Sequence, residues 1–118
     1  MKKILICEDE QDAQASLKNL LTKRSYDVVG VSNGKDAIEQ AQSFQPDLIL
    51  LDIRMPKIDG LEVANSVRKF NKEVKIIFVT AFDSPEMKKE ALRYNISGYI
   101  TKPAVTESII EAIETTLK

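Results

Sequence analysis

The sequence predicts an α/β fold in which helices cover both faces of a parallel sheet. Three observations lead there. Short apolar runs alternate with helix-spaced amphipathic segments from one end of the chain to the other. The runs are continuous, as strands buried on both faces require. Turn and cap residues fall at the junctions between them.

Taken in order, the first run is Ile4 to Cys7, followed by Ala13, Leu17, Leu20 and Leu21 at helical spacing. Val28 to Val31 is the second run, and Asn33-Gly34 marks a turn before a second helix around Ala37, Ile38 and Ala41. Pro46 separates that helix from the third run, Leu48 to Leu51. Val63, Val67 and Phe70 mark a third helix, and Ile76 to Val79 a fourth strand. Ser84-Pro85 reads as an N-cap followed by proline at the first helical position, opening a fourth helix around Met87, Ala91 and Leu92. A short fifth strand, Gly98-Tyr99-Ile100, precedes the stripe Ile109, Ile110, Ile113 and Leu117, whose helix Thr106 would cap. All these stripes are expected to be plain core. Such units imply right-handed crossovers and a doubly wound sheet. Five of them in so short a chain suit a flavodoxin-like (βα)5 fold with strand order 2-1-3-4-5; that order is carried over from known folds, not read from the residues.

With 118 residues, one domain spanning 1–118 is expected, and 43% hydrophobic content is enough for its core. The net charge of -1 lacks the basic footprint of a nucleic-acid binder, so no direct contact with nucleic acid is expected. No apolar stretch approaches the roughly 18–20 residues of a membrane span, and Met1-Lys2-Lys3 does not open a signal peptide. A cytoplasmic protein is expected. The lone Cys7 lies within an apolar run and reads as a small buried hydrophobe. Histidine is absent, which excludes Ser/His/Asp and Cys/His catalysis, His-containing zinc sites and any phosphohistidine formed here.

In open α/β sheets, ligands bind beyond the carboxyl ends of the strands. There the first strand runs into Glu8-Asp9-Glu10, the third into Asp52, the fourth into Thr80 and the fifth into Lys102-Pro103. A lone Asp after a strand is usually a turn former. In this fold, however, the first and third strands are neighbours, so their acidic ends should converge. Two carboxylates about 5 Å apart repel by roughly 3 kcal/mol at an effective dielectric near 20. Either a proton or a cation must then sit among them. Oxygen-only ligands with open positions suit Mg²⁺ (or Mn²⁺). Lys102 would neutralise another part of the charge. This chemistry is phosphoryl transfer, with an Asp nucleophile, charge stabilisation by metal and lysine, and a nearby hydroxyl, Thr80. Glu10 and Asp12 read as exposed first-turn helix residues.

These residues resemble the receiver domains (CheY-like) of bacterial two-component response regulators, from Lys3 to Leu117. The motifs are Ile6-Cys7-Glu8-Asp9-Glu10, Asp47 to Pro56, Asp59-Gly60, Val79-Thr80-Ala81 and Gly98 to Pro103. CheY is itself a known case of the strand order assumed above. The resemblance implies that Asp52 is the phosphoacceptor and that Asp9 ligates Mg²⁺ directly, Glu8 more often through water. Asp52 and the backbone carbonyl of Arg54 would complete the metal site. It implies Thr80 as the switch hydroxyl, Tyr99 as the switch aromatic, Lys102 as the phosphate-bonding lysine, and a cis Lys102-Pro103 peptide. Arg54 and Phe82 match positions that tune phosphoryl lifetime. Phe82 is expected to restrict attacking water and lengthen that lifetime.

The donor would be a phosphohistidine on a sensor histidine kinase or a histidine phosphotransfer protein, docking near Gln11 to Leu20. In the family, the switch aromatic turns inward and alters the face of the fourth helix, fifth strand and fifth helix, here Met87 to Tyr94, Tyr99 and the helix from about Thr106. No effector domain is expected after Lys118. The output is then signalling to a downstream protein target or onward phosphotransfer in a phosphorelay, unless the chain is a receiver excised from a larger DNA-binding regulator. A monomer or weak dimer is expected, acting as a switch that assists its own phosphorylation and dephosphorylation rather than as a turnover enzyme. Three rivals stand beside this reading. An FMN carrier needs a phosphate-cradling loop where this chain has Glu8-Asp9-Glu10-Gln11-Asp12. A metal-dependent phosphoaspartyl phosphatase typically has a second Asp where Arg54 stands. A scaffold with a dead site would lack at least one key acidic, hydroxyl or lysine position, and none is missing.

Overall fold

The computed structural model describes all 118 residues. Its elements are β1 (Lys3–Cys7), α1 (Gln11–Lys23), β2 (Asp27–Val31), α2 (Gly34–Ser43), β3 (Leu48–Leu51), α3 (Gly60–Phe70), β4 (Lys75–Thr80), α4 (Pro85–Leu92), β5 (Gly98–Thr101) and α5 (Thr106–Thr116). All neighbouring strands are parallel, in the order β2-β1-β3-β4-β5. This is the expected flavodoxin-like arrangement. Several strands begin earlier than their apolar runs, at Lys3, Asp27 and Lys75, because ladder pairing is a property of the backbone.

The sheet divides two cores. Leu5, Cys7, Ile49, Leu51, Ile76 and Phe78 face α2, α3 and α4. Ile4, Ile6, Leu48, Leu50, Ile77 and Val79 face α1 and α5. Alternate side chains of each strand enter opposite cores, so both faces need apolar residues. Each fully buried Leu, Ile or Val is worth about 1.5–3 kcal/mol. Cys7 lies within this packing, and burial pushes its thiol pKa far up.

The register positions the functional rim. Cys7 lies opposite Leu51, so Glu8 and Asp52 leave the sheet side by side, with Asp52 N donating to Cys7 O at 3.0 Å. Thr80 lies opposite Thr101, and Lys102 follows directly. The Lys102-Pro103 peptide is cis.

Four local expectations need correction. Thr106 does not cap α5: it is the first helical residue, and Val105 holds the cap position in extended conformation without a side-chain cap bond. Glu10 is not in the first turn of α1 but is its N-cap, its carboxylate accepting from the amides of Asp12 and Ala13. Phe70 is 42% exposed: it is the last residue of α3, beyond the buried turns Val63-Ala64 and Val67, and Val74 joins that core instead. Leu92 is 67% exposed because neighbouring helical residues point about 100° apart and its neighbour Ala91 takes the buried position. Elsewhere the caps fall where the residue types suggest. Asn33 opens α2, Asp59 and Glu62 form a capping box on α3, and Ser84 with Pro85 opens α4.

Candidate functional site

The acids converge as the topology requires. Glu8 and Asp52 are each only 6% exposed, while Asp9 is open to solvent, and one carboxylate oxygen from each of the three lies within 4.8 Å of the others. Lys102 reaches across from the end of β5. Its Nζ donates to Glu8 Oε1 at 2.5 Å and to Asp52 Oδ2 at 2.9 Å. The remaining oxygens are held from the backbone, Asp52 Oδ1 by the amide of Arg54 at 3.0 Å and Glu8 Oε2 by the amide of Glu10 at 3.1 Å.

One ammonium cannot neutralise three carboxylates. Burial raises the Glu8 pKa despite its contact with Lys102. Burial also acts to lower Lys102, but its bonds to Glu8 and Asp52 outweigh that, and its pKa lies above the usual lysine value. The donor set is all oxygen, partly open at Asp9, and carries excess negative charge. It fits a hard divalent cation that keeps part of its water shell.

The backbone under Asp52 is held by close approach. A Cβ on Gly60 would lie 2.3 Å from the Asp52 carbonyl oxygen and 2.8 Å from Ile53 Cα. Glycine is required there because β3 meets the start of α3 with no room for a side chain.

Thr80 is fully buried, and its hydroxyl accepts from the Phe82 amide at 3.4 Å. Tyr99 is half-buried on β5, and its hydroxyl donates to the Phe82 carbonyl at 2.8 Å. One residue's backbone thus links the hydroxyl at the site to the aromatic at the sheet edge. Beside them, Lys88 pairs with Asp83 at 2.9 Å and lies over the Tyr99 ring. The exposed Arg54 guanidinium rests on the Phe82 ring, 5.1 Å from its centroid.

All eight residues that the sequence assigns to metal, phosphoryl, switch or tuning roles therefore lie at or beside one rim, Phe82 through the Thr80, Tyr99 and Arg54 contacts just described. Glu8, Asp9, Asp52 and Lys102 form a contact cluster; Thr80, Arg54 and Tyr99 adjoin it through the two neighbouring loops. A cavity of about 520 Å³ opens from the cluster between α1 and α5, with Ala13, Leu17 and Ile109 among its apolar walls. One residue escaped the sequence reading. The Gln14 carboxamide bonds the end of β1 to the end of β2. A glutamine on a helix carries no local signal of such a role.

The sequence matches the family described as the response regulator receiver domain over residues 4–114. The chain belongs to this family. As a receiver domain of two-component signalling it is 31% identical to the chemotaxis protein CheY of Thermotoga maritima, over 95% of this chain and 94% of that protein. It is 37% identical to the alkaline phosphatase synthesis transcriptional regulatory protein PhoP of Bacillus subtilis, over 86% of this chain but only 42% of that longer regulator. A CheY-like receiver domain protein from Methanospirillum hungatei superposes with a TM-score of 0.95 at 27% identity, covering 99% of this chain and 94% of that one. A LuxR-family DNA-binding response regulator from Staphylococcus aureus gives 0.92 at 27% identity, with both chains fully covered. Receiver domains are phosphoacceptor switches that bind Mg²⁺ at an acidic pocket and work with histidine kinases and downstream targets. No helix of this chain is long and apolar enough to cross a membrane.

Proposed function

We propose that residues 1–118 act as one receiver that takes a phosphoryl group from a partner's phosphohistidine onto Asp52. A carboxylate oxygen of Asp52 forms the new O–P bond as the N–P bond breaks, and the imidazole leaves with that electron pair. The residues that would hold Mg²⁺ or Mn²⁺ are Asp9, Asp52 and the Arg54 carbonyl, with Glu8 acting through water. The metal supplies positive charge against the phosphoryl oxygens. Lys102 already bridges Glu8 and Asp52, and it exchanges part of that pairing for a phosphoryl oxygen. Thr80 gives up its contact with the Phe82 amide and donates to another.

The Phe82 backbone carries the change outward, since its carbonyl accepts the Tyr99 hydroxyl. Release of that bond frees Tyr99 to turn inward and alters the α4–β5–α5 face that a downstream target reads. The phosphorylated state acts by biasing an equilibrium between two arrangements. The donor, a sensor histidine kinase or histidine phosphotransfer protein, would lay apolar side chains into the groove beside Ala13 and Leu17, next to Asp52. The cytoplasm is the proposed compartment, and the chain works as a switch that passes its signal to a protein target or its phosphoryl group onward.

The observation that carries this reading is the buried Asp52 carboxylate, flanked by Glu8 and Asp9 and bonded by Lys102. Incubation with Mg²⁺ and a small phosphodonor, followed by intact-mass measurement, tests it. Wild type gains one phosphoryl group; Asp52→Asn does not, and a chelator blocks the reaction. Equal labelling of Asp52→Asn would refute the assignment.

A further inference from the structure

We infer that Gln14 is a positioning residue that sets the acidic loop Glu8-Asp9-Glu10 and thereby the affinity of the site for a divalent cation; this rests on the metal reading above. Gln14 lies in the first turns of α1. Its side-chain Nε2 donates to Glu8 O at 2.8 Å and to Val31 O at 2.8 Å, with Ser32 Oγ a longer contact at 3.4 Å. The two N–H groups of one carboxamide are thus matched to two backbone carbonyls. Those carbonyls also fix which way the amide points, because the opposite orientation would set an oxygen against both of them.

The same residue acts on the loop from its other side. The Gln14 backbone N–H donates to Glu10 O at 3.0 Å. The carbonyls before and after Asp9 are therefore both held by Gln14, one through its side chain and one through its main chain. Val31 O, which Gln14 shares, also accepts the Glu8 amide at 3.0 Å. The carboxamide continues the β1–β2 ladder one step beyond its last pair, at the point where the chain turns to present Glu8 and Asp9. Asp9 itself is exposed and owes its position to this backbone.

Gly30 is shaped to the same device. A Cβ there would lie 2.5 Å from Gln14 Oε1 and 2.8 Å from Cδ. The carboxamide occupies the space that any other residue at position 30 would fill. Backbone polar groups that lose a partner while shielded from water must find another, and the loop moves to do so. Residues that orient metal ligands without touching the metal typically contribute about 10–100-fold to affinity.

Calorimetric titration of the metal-free chain with Mg²⁺ alone, in the absence of phosphodonor, tests this. Gln14→Leu keeps the volume and removes both donors; Gly30→Ala keeps Gln14 and displaces it. Both variants should bind Mg²⁺ about tenfold more weakly than wild type. Phosphorylation at saturating Mg²⁺ should reach the wild-type plateau. Leu21→Val, a core change on the same helix far from the loop, should lower the melting temperature and leave Mg²⁺ affinity unchanged. If Gln14→Leu does not fold, Gly30→Ala decides. Affinities within about twofold of wild type for the variants would overturn the role of Gln14 while leaving the metal site intact. An equal loss in Leu21→Val would overturn it too, by showing that affinity follows general stability. Failure of wild type to bind Mg²⁺ would remove the metal reading and this inference together.

Discussion

Replacing Lys102 with alanine should move three measurable quantities in a combination that no general loss of structure reproduces. At an effective dielectric near 20, the contacts of Lys102 with Glu8 at 2.5 Å and Asp52 at 2.9 Å are each worth about 6 kcal/mol of gross attraction. The two carboxylates, within 4.8 Å of each other, repel by about 3–4 kcal/mol. Desolvation offsets most of the attraction, and the raised pKa of Glu8 is its direct trace. Removing one partner of a buried pair typically costs about 3–5 kcal/mol. The Lys102 side chain is 31% exposed, so solvent screening brings the expected loss down to about 2–3 kcal/mol. For a chain of this size that lowers the melting temperature by about 10 °C in chelator. Mg²⁺ affinity should rise, because the ammonium no longer competes for Glu8 and Asp52. Phosphorylation should nonetheless slow, because the charge that meets the phosphoryl oxygen is gone. Denaturation in chelator, Mg²⁺ titration and time-resolved intact mass measure the three. A variant as stable as wild type in chelator, or one that binds Mg²⁺ more weakly, would refute this account of the site.

Gly60→Ala places a methyl group 2.3 Å from the Asp52 carbonyl oxygen, so β3 or α3 must shift by about 1 Å to restore ordinary contact. The expected cost is about 1–3 kcal/mol in denaturation and, for an Asp52 displaced by that much, a phosphorylation rate about 10–100-fold lower. Burial raises the pKa of Glu8, so the folded protein favours its protonated form; the resulting stability is present below the unfolded pKa and is lost as pH rises through the folded one. In chelator, wild type should therefore lose stability relative to Glu8→Gln as pH rises through the carboxylate range and just above it, and parallel pH profiles would count against the shift. Phe82→Ala removes the ring on which Arg54 rests beside the site. It should shorten the aspartyl phosphate lifetime about threefold, followed by decay of the phosphorylated mass; a longer lifetime than wild type contradicts a role in excluding water.

The chemistry of the rim is legible in the sequence because it sits at a fixed place in the pattern. Glu8, Asp52 and Lys102 each begin where a strand ends; an apolar run of four residues marks that end for Glu8 and Asp52, and the shorter run Gly98-Tyr99-Ile100 marks it to within one residue for Lys102. The helices follow from 3.6-residue spacing and from caps such as Ser84 and Asp59, which bond amides three residues away. What misleads is also local. Glutamate is an uncommon cap, yet Glu10 caps α1; Phe70 and Leu92 fit helical stripes but lie where no core reaches them.

Contacts between distant segments cannot be read this way. Strand order had to be carried over, since nothing in Ile4 to Cys7 says that Leu48 to Leu51 lies on one side of it and Val28 to Val31 on the other. The ion pairs of Lys102 span 94 and 50 residues, and the Gln14 carboxamide bonds a strand end 17 residues away. Residue type and spacing report the backbone conformation a segment prefers, because the forces that set it act within a few residues. Which carboxylates share one ammonium, and which glutamine holds a loop, depends on how separate segments pack, and that is settled when the two cores close on the sheet.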